Sequence, residues 1–546
     1  YLDRYDDVAQ AGVDPARPKL VHDLRDQWTL LARHGVALAG VVLDTQLASF
    51  LIDPTRIVPH RLDQVVRELL HRPLVGDKSV LGSGKKRRPF AAVPLDELAP
   101  YACHLAAPVA EMAPELEARL ADAGQAELLA ALSLPMAGLL GRMQREGIRV
   151  DPAVLDRLDA ELEARKAQVE ARIYELAGHE FNIGSPKQLA AVLFEELGLP
   201  VIKRTKTGYS TAAEVLERLA AEHEICRAIL RQRALAKLIH TYTRVLREAI
   251  VAETGRIHCT IQQTAGRSGR LITTDPDLQR TPIRTEDGKR IREAFVPRPG
   301  WVLVSADWSQ IELRLLAHFS EDPRLLAAFR EGVDIHRRTA SQLFDVPPDA
   351  VDAAQRTVGK TVNFATIYGQ GATALGQSLG IPRAEAKRYI DRYFERHAAV
   401  REWLDTTIAE AHAFGYVTTL AGRRRYIPEL SSRNPTDRAY GERIAGNTPI
   451  QGSAADLCKM AMLQIDRALA EAGLEARMLL QIHDELLFEC PPDELETLEA
   501  LVRARMERPG LARPGQERPG QERPVELRVP LVVDIGHGAS WAAAKE

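Results

Sequence analysis

An apolar run that ends in a carboxylate, and a second one far downstream folded around another, constrain this chain more than its composition does. Trp301-Val-Leu-Val-Ser-Ala-Asp307 reads as a buried strand whose last residue is an aspartate. Met478-Leu-Leu-Gln-Ile-His-Asp484-Glu485-Leu-Leu-Phe488 is apolar, then polar, then apolar again, the pattern of a hairpin with Asp484 at its tip. A strand end beside a hairpin tip brings two carboxylates within a few ångströms. Two bare anions at that separation repel, so the arrangement calls for divalent cations. Paired Mg²⁺ ions about 4 Å apart suit an in-line displacement at phosphorus, because they stabilise both the attacking and the leaving oxygen. Either run alone also has an ordinary reading, since an aspartate that ends a strand is commonly a turn residue.

Between the two lies Arg356-Thr-Val-Gly-Lys360-Thr-Val-Asn-Phe364-Ala-Thr-Ile-Tyr368-Gly369. Arg356, Lys360, Phe364 and Tyr368 fall four residues apart, and in a helix such positions occupy one face. Two cations followed by two aromatics make a surface suited to a triphosphate and a stacked base. A solvated helical face accounts for Arg356 and Lys360. It does not account for the aromatics that continue the stripe.

The 546 residues are too many for one domain and point to three or four packed units. Apolar residues make up 45% of the chain, which excludes wholesale disorder. Lys and Arg number 72 against 75 Asp and Glu, a net charge of −3, so positive charge for a nucleic-acid partner must be locally concentrated. The five cysteines include no Cys-x-x-Cys pair, which predicts reduced thiols in an intracellular protein and no zinc site. No secretory or membrane segment is expected, the most apolar stretch, Leu128 to Leu140, being short and broken by Ser133, Pro135 and Gly138. A start at Tyr1 suggests a fragment of a longer product.

Residues 1 to about 108 alternate apolar runs (Val36–Leu43, Leu47–Ile52) with helix-like text (Arg61–His71) and read as α/β, with Lys85–Arg88 as a solvated loop. From Glu111 to about Ile250 the pattern is helical, broken by the polar Lys203–Thr211. Strand signals return at Arg256–Thr260 and Trp301–Ser305, and helix dominates from Ile311 to about Phe414. Glu507–Glu522 repeats Arg-Pro-Gly three times and predicts an exposed, flexible insertion unable to hold a helix or a ladder.

Asp307-Trp-Ser-Gln-Ile-Glu-Leu-Arg314 resembles motif A of the family A DNA polymerases, Arg356–Gly369 their motif B, and Gln481-Ile-His-Asp-Glu485 their motif C. The likeness runs in register through Ser185-Pro-Lys-Gln-Leu189, Gly255-Arg-Ile-His258, Thr281-Pro-Ile-Arg-Thr285, Asp334-Ile-His336 and Asn447-Thr-Pro-Ile-Gln-Gly452. It implies an α+β multidomain, right-hand polymerase behind an N-terminal α/β, ribonuclease H-like 3′–5′ exonuclease domain. The implied limits are 1–108 for the exonuclease-like domain, 109–134 for a connecting segment and 135–255 for the thumb. Palm would be 256–319 and 429–546, the latter with an insertion at 507–523, and fingers 320–428. The reaction implied is extension of a primer 3′ end with dNTPs on a DNA template, in replication and repair gap filling. The enzyme would be a monomer in the bacterial cytoplasm, associated with the nucleoid.

The resemblance also assigns residues. Asp307 and Asp484 would hold two Mg²⁺ ions, for which Mn²⁺ can substitute, with Glu485 beside them. Arg356, Lys360, Phe364, Tyr368, His336, Glu312 and Gln310 would bind the incoming nucleotide. Lys360 would also protonate the leaving pyrophosphate, and Glu312 would close the space beside the sugar C2′, where a 2′-hydroxyl marks an RNA precursor. Arg270, Arg443, Asn447, Gln451 and His483 would contact primer–template DNA. Thr448-Pro-Ile-Gln451 has a competing reading as a capping box with proline at the first helical position. Trp308 stands where the family usually has Tyr and Ala365 where Gly is common, and Gly266-Arg-Ser-Gly-Arg270 departs from the usual text by adding Arg267.

Within 1–108 the family's exonuclease carboxylates fall on Gln27, with Asp26 one place off, and on Leu105 of Tyr101-Ala-Cys-His-Leu105, and the first Asp-x-Glu motif is not in the chain. An amide and an alkyl group cannot hold Mg²⁺, so proofreading is expected to be absent. The rival to the polymerase reading is a two-metal phosphodiesterase using the same aspartates. That enzyme would have no triphosphate for the Arg356–Tyr368 face.

Overall fold

The two apolar runs fold into one four-stranded sheet, ordered Arg477–Ile482, Glu485–Cys490, Val302–Trp308, Val533–Gly538. Leu303, Val304, Ala306, Leu479, Leu486 and Phe488 are all buried, which is why these strands read as unbroken apolar text rather than as alternation. The expected hairpin turns at His483–Asp484.

The computed structural model describes residues 10, 12–56, 59–206, 208–283, 285–511 and 523–545. The chain divides into one unit of Tyr1–Glu146, Thr260–Thr274 and Ser305–Gly536, and a second of Gly147–Cys259, Asp275–Val304 and His537–Glu546. The second unit is built on the helix Pro152–Ala177, which Asp151 caps by accepting the Ala153 N–H and left-handed Gly178 ends. Ile173 of this helix packs with Leu189, Leu193, Val215, Leu216 and Ile229 in a core. Within Lys203–Thr211, expected as loop, Arg204–Thr205 pairs with Gly208–Tyr209 as a minimal hairpin.

In the first unit, Lys19–Val21 and Val41–Asp44 form a parallel pair beside the helices Leu24–Arg33 and Thr45–Ile52, so the apolar run at Leu47 is helix. The helix Leu95–Asp122 continues through Pro100, Pro108 and Pro114 and crosses the 108/109 boundary expected from sequence. The helical run Ala126–Glu146 has the length and hydropathy to cross a membrane, but 61% of that window is buried inside the protein, as in a core helix. All five cysteines are free thiols.

One competing reading and one expectation fail locally. Thr448–Gln451 does not start a helix, because the helix Pro435–Glu471 runs straight through it with Pro449 inside. The cap is Asn434, which accepts the Thr436 N–H at 3.0 Å ahead of Pro435. At Thr448 burial overrides the local signal, and its hydroxyl accepts from Arg425 Nη1 at 3.0 Å. The start of the Arg-Pro-Gly segment also departs from the expectation. Glu507 ends the helix Leu495–Glu507, and buried Gly510 donates to Gln464 Oε1 at 3.1 Å. Gly510–Leu511 then pairs antiparallel with Arg523–Pro524, so a ladder does form at the base of the repeat. Residues 512–522 lie outside the described residues.

Candidate active site

Asp307 lies near the end of its strand, and the next residue ties it to the hairpin tip, with Trp308 N–H donating to the Asp484 carbonyl at 3.2 Å. One position along, Ser305 Oγ donates to Glu485 Oε1 at 2.7 Å, and Glu485 is buried. Backbone pairing thus holds Asp307 and Asp484 on adjoining stations. Each station has a residue in the left-handed region that is not glycine: Gln310 (φ 57) after Asp307, and His483 (φ 56) before Asp484. Such residues cost of order 1 kcal/mol and persist where the surroundings enforce them. Gln310 caps the helix Ile311–Ser320, and Arg314 locks that turn by donating to Ser309 O at 2.8 Å and Pro530 O at 2.5 Å. Trp308 keeps its place through its indole N–H, which donates to Met506 O at 2.8 Å. Beneath the tip, burial and the Asp484 charge push the Cys458 thiol up to about 12, making it an inert structural cysteine.

The nucleotide-type face forms as a helix, Ala353–Ile367, with Asp352 and Gln355 in a reciprocal capping box. Phe364 and Tyr368 stack at 6.2 Å between centroids with planes 16° apart. Gly359 permits a close crossing, since a Cβ there would lie 2.3 Å from His336 O and 2.8 Å from Ala340 N. The crossing brings the His336 ring to 5.9 Å from Phe364. Thr339 Oγ1 donates to Asn363 Oδ1 at 3.0 Å, which orients the Asn363 amide to donate to His336 Nδ1 at 3.1 Å. Burial, with Arg356 and Lys360 adding to it, depresses His336 to about 4 against the pull of Asp334, so the ring is neutral at pH 7. Arg356 Nε donates to Asp334 Oδ2 at 2.7 Å, and Lys360 is exposed.

Glu312 joins this face to the strand end. Tyr368 donates its hydroxyl to Glu312 Oε2 at 2.9 Å, and Glu312 also pairs with Arg270. Burial first, then the Glu312 carboxylate, raises the Tyr368 phenol well above its usual value. Arg443, Asn447 and Gln451 repeat the four-residue spacing along one face of Pro435–Glu471. Gly369 abuts the Arg443 stem, and a Cβ on Gly452 would lie 3.2 Å from Ser268 O. The loop between the strands Thr260–Gln262 and Ile272–Thr274, which carries Arg267 and Arg270, is therefore packed against the Gln451 end of the stripe.

Among the described residues no three His, Cys, Asp or Glu side chains group to hold a metal by themselves. Two carboxylates on adjoining backbone stations still fit Mg²⁺, which binds through one or two carboxylates and completes its shell with water and substrate phosphate oxygens.

A profile described as "DNA polymerase family A" matches residues 152–543. The chain belongs to this family. A second profile, "DNA polymerase I, ribonuclease H-like domain", matches residues 5–111, so the fold is the family A polymerase fold with an N-terminal ribonuclease H-like domain. DNA polymerase I of Geobacillus stearothermophilus is 44% identical over 97% of this chain and 59% of its own length. That of Bacillus subtilis is 43% identical over 96% of this chain and 58% of its own. The chain thus spans under two thirds of these curated relatives. A solved structure titled "POL domain of Pol1 from M. smegmatis complex with DNA primer-template and dNTP" superposes with a TM-score of 0.88 at 38% identity, covering 99% of this chain and 88% of that one.

Sequence reasoning missed a buried ion pair in this family A chain. Arg423 donates to Asp456 Oδ1 through Nε at 2.9 Å and Nη2 at 2.7 Å, with Thr419 Oγ1 donating to Oδ2 at 2.7 Å. Lys459 lies nearby, pushed down to about 7 by burial and by Arg423. A Cβ on Gly269 would stand 3.0 Å from Arg423 Nε, so the pair underlies the Arg267–Arg270 loop. The visible signal was the run Arg423-Arg-Arg425, which reads as an ordinary charge run without its partner on the distant helix Pro435–Glu471.

The ribonuclease H-like domain is built differently around its carboxylates. Buried Asp44 accepts N–H groups from Leu24 at 2.6 Å, Gln46 at 2.8 Å and Leu47 at 3.2 Å, and burial pushes it up to about 6. Asp23 caps Leu24–Arg33 from the left-handed region. Arg25 pairs with Asp23 at 3.3 Å and with Asp26 at 2.9 Å. Gln27 lies on the helix Leu24–Arg33, and Leu105 on Leu95–Asp122.

Proposed function

We propose that this chain is a template-directed DNA polymerase that extends a primer 3′ end with dNTPs and releases pyrophosphate. The observation that carries this reading is the Tyr368–Glu312–Arg270 linkage. It joins a cation-and-aromatic helical face to the strand whose end bears Asp307, and a nuclease would have no use for that face.

In this reading Asp307 and Asp484 hold two Mg²⁺ ions, with Glu485 fixed by Ser305 beside them. The ions supply Lewis-acid stabilisation of the attacking and leaving oxygens. Arg356, Lys360 and His336 receive the triphosphate, Arg356 exchanging Asp334 for phosphate oxygens and His336 offering a ring N–H. Lys360, exposed at the end of the cation pair, delivers a proton to the departing pyrophosphate. Phe364 stacks on the incoming base, and Tyr368 stands by the templating one. Glu312 fills the space beside the sugar C2′, and Gln310 lines the same turn. Arg270, Arg443, Asn447, Gln451 and His483 grip the primer–template. The functional domains we assign are exonuclease-like 1–108, connector 109–134, thumb 135–255, palm 256–319 with 429–546, and fingers 320–428.

We read the ribonuclease H-like domain as non-catalytic. Leu105 has no ligand atom and the Gln27 amide brings no negative charge to a cation, and Asp23, Asp26 and Asp44 are engaged with Arg25 and with backbone N–H groups. The deciding experiment incubates a labelled primer–template with Mg²⁺, with and without dNTPs. Growth that requires dNTPs supports polymerisation, whereas shortening in both samples supports the phosphodiesterase.

A further inference from the structure

The loop that carries Arg267 and Arg270 hangs from a weak support. Its strands, Thr260–Gln262 and Ile272–Thr274, are three residues long and, among the described residues, pair only with each other. A two-stranded hairpin of that length is marginal by itself. Its position must come from what it touches. From below, Arg423 packs against Gly269 and is fixed by Asp456. From the side, Gln263 Nε2 donates to Ser133 O at 3.1 Å. The loop itself also meets Gly452 at Ser268 O and Glu312 at Arg270, and a further support of the strands comes from the ribonuclease H-like domain, where Arg25 Nη1 donates to the Ile261 carbonyl at 3.0 Å.

Arg25 is suited to this. Its side chain is 10% exposed, and its other arm is held by Asp23 and Asp26. Its helix is locked against the one that follows Ser133, since a Cβ on Gly141 would lie 2.8 Å from Trp28 and 3.3 Å from Arg25 O. Ile261 is buried, so removing the guanidinium takes a donor from a buried carbonyl. Two anions of the ribonuclease H-like domain thus orient a cation whose contact lies on the hairpin strand.

We propose that Arg25 is a positioning residue for DNA binding: through Ile261 it fixes the hairpin whose loop presents Arg267 and Arg270 to the primer–template. The carboxylates of the nuclease-like domain then serve as the anchor of this brace. The inference rests on the polymerase reading for what the loop grips.

The test measures the primer–template Kd by anisotropy titration, kcat at saturating DNA, and Tm, on the whole chain. Arg25→Met should raise Kd about tenfold, the change that corresponds to one lost charge-assisted hydrogen bond, with kcat little altered. Arg25→Lys should fall between the parent and Arg25→Met. The double variant Asp23→Asn/Asp26→Asn, which frees the anchored arm, should raise Kd less than Arg25→Met. Unchanged Kd in Arg25→Met, even with a lowered Tm, overturns the proposal, as does a lysine variant no better than methionine. If Arg25→Met does not fold, Arg25→Lys decides alone, a raised Kd supporting the brace and an unchanged one overturning it. Failure of the parent chain to extend a primer would sink the polymerase reading instead, so the two outcomes are distinguishable.

Discussion

The ribonuclease H-like domain and the Asp307–Asp484 centre both set aspartates at a strand end and a neighbouring turn, and they use them in opposite ways. Asp44 ends the strand Val41–Asp44, as Asp307 lies near the end of Val302–Trp308, and Asp23, like Gln310 and His483, marks a left-handed turn. In the N-terminal case the oxygens are spent on the fold, on helix-capping N–H groups and on Arg25. In the other, a main-chain bond from Trp308 N–H to Asp484 O ties the two stations together. A carboxylate that caps a helix is poorly placed to ligate an ion, since its lone pairs are already committed. On the proposed reading, similar local geometry yields a scaffold in one region and a reaction centre in the other.

The same substitution in the two regions should separate them most sharply. Asp307→Ala or Asp484→Ala should lower primer extension by at least about 10³-fold, the scale of losing charge stabilisation in a transition state, while primer–template binding persists. Substantial extension by either variant at saturating Mg²⁺ would remove the distinction. Glu312→Ala comes next, with an expected rise of about 10–100-fold in the rNTP-to-dNTP incorporation ratio, as for opening a pocket by a few methylenes. An unchanged ratio rejects Glu312 as the gate. Because Arg270 and Tyr368 both lean on Glu312, extension with dNTPs should also slow.

Asp44→Ala should instead cost stability, about 2–4 kcal/mol from a lost cap and stranded buried donors, with kcat unaffected. A normal Tm would contradict the structural role given to Asp44. The nuclease-like domain should also leave a mispaired 3′-terminal label intact without dNTPs, in Mg²⁺ or Mn²⁺, when tested in Asp307→Ala to eliminate pyrophosphorolysis. Label loss above a no-enzyme blank would show a working nuclease.

Acid should weaken both regions. Burial depresses His22, His60 and His336 to about 4. Between about 4 and the unfolded value near 6.5 the unfolded chain then binds more protons than the native one, so stability falls as pH drops through that window. Asp44, raised to about 6, opposes them with the reverse sign over its lower part. A net decline of Tm from pH 6.5 toward 4 is expected, and a flat profile would count against these burial effects. The smallest effect should follow replacement of residues 512–522 by Asn-Gly. Leu511 already pairs with Arg523 across the ladder, so a two-residue turn can close it, and loop-closure entropy changes slowly with length. A removal that extends back through Arg508 should cost more, because it takes away Gly510 and its bond to Gln464.

Much of the centre was legible in one dimension. Unbroken apolar text around Asp307 and Asp484 predicted covered strands, and the four-residue spacing from Arg356 to Tyr368 predicted a shared face. Both are local periodicities that the backbone must obey. The failures were local signals overruled by burial. Thr448-Pro-Ile-Gln carries cap chemistry, yet the helix runs through it, and the Arg-Pro-Gly text begins with an ordered strand.

The sequence by itself determined which residue types are present and at what period, and therefore the family, the strand ends and the helical faces. Only the tertiary structure decided partnership across distant segments. It set Arg25 against Ile261, Arg423 against Asp456, and Glu312 between Arg270 and Tyr368. The physical reason is that a buried charge is tolerable only where a partner completes it. Spacing along the chain carries no record of which distant residue that partner will be.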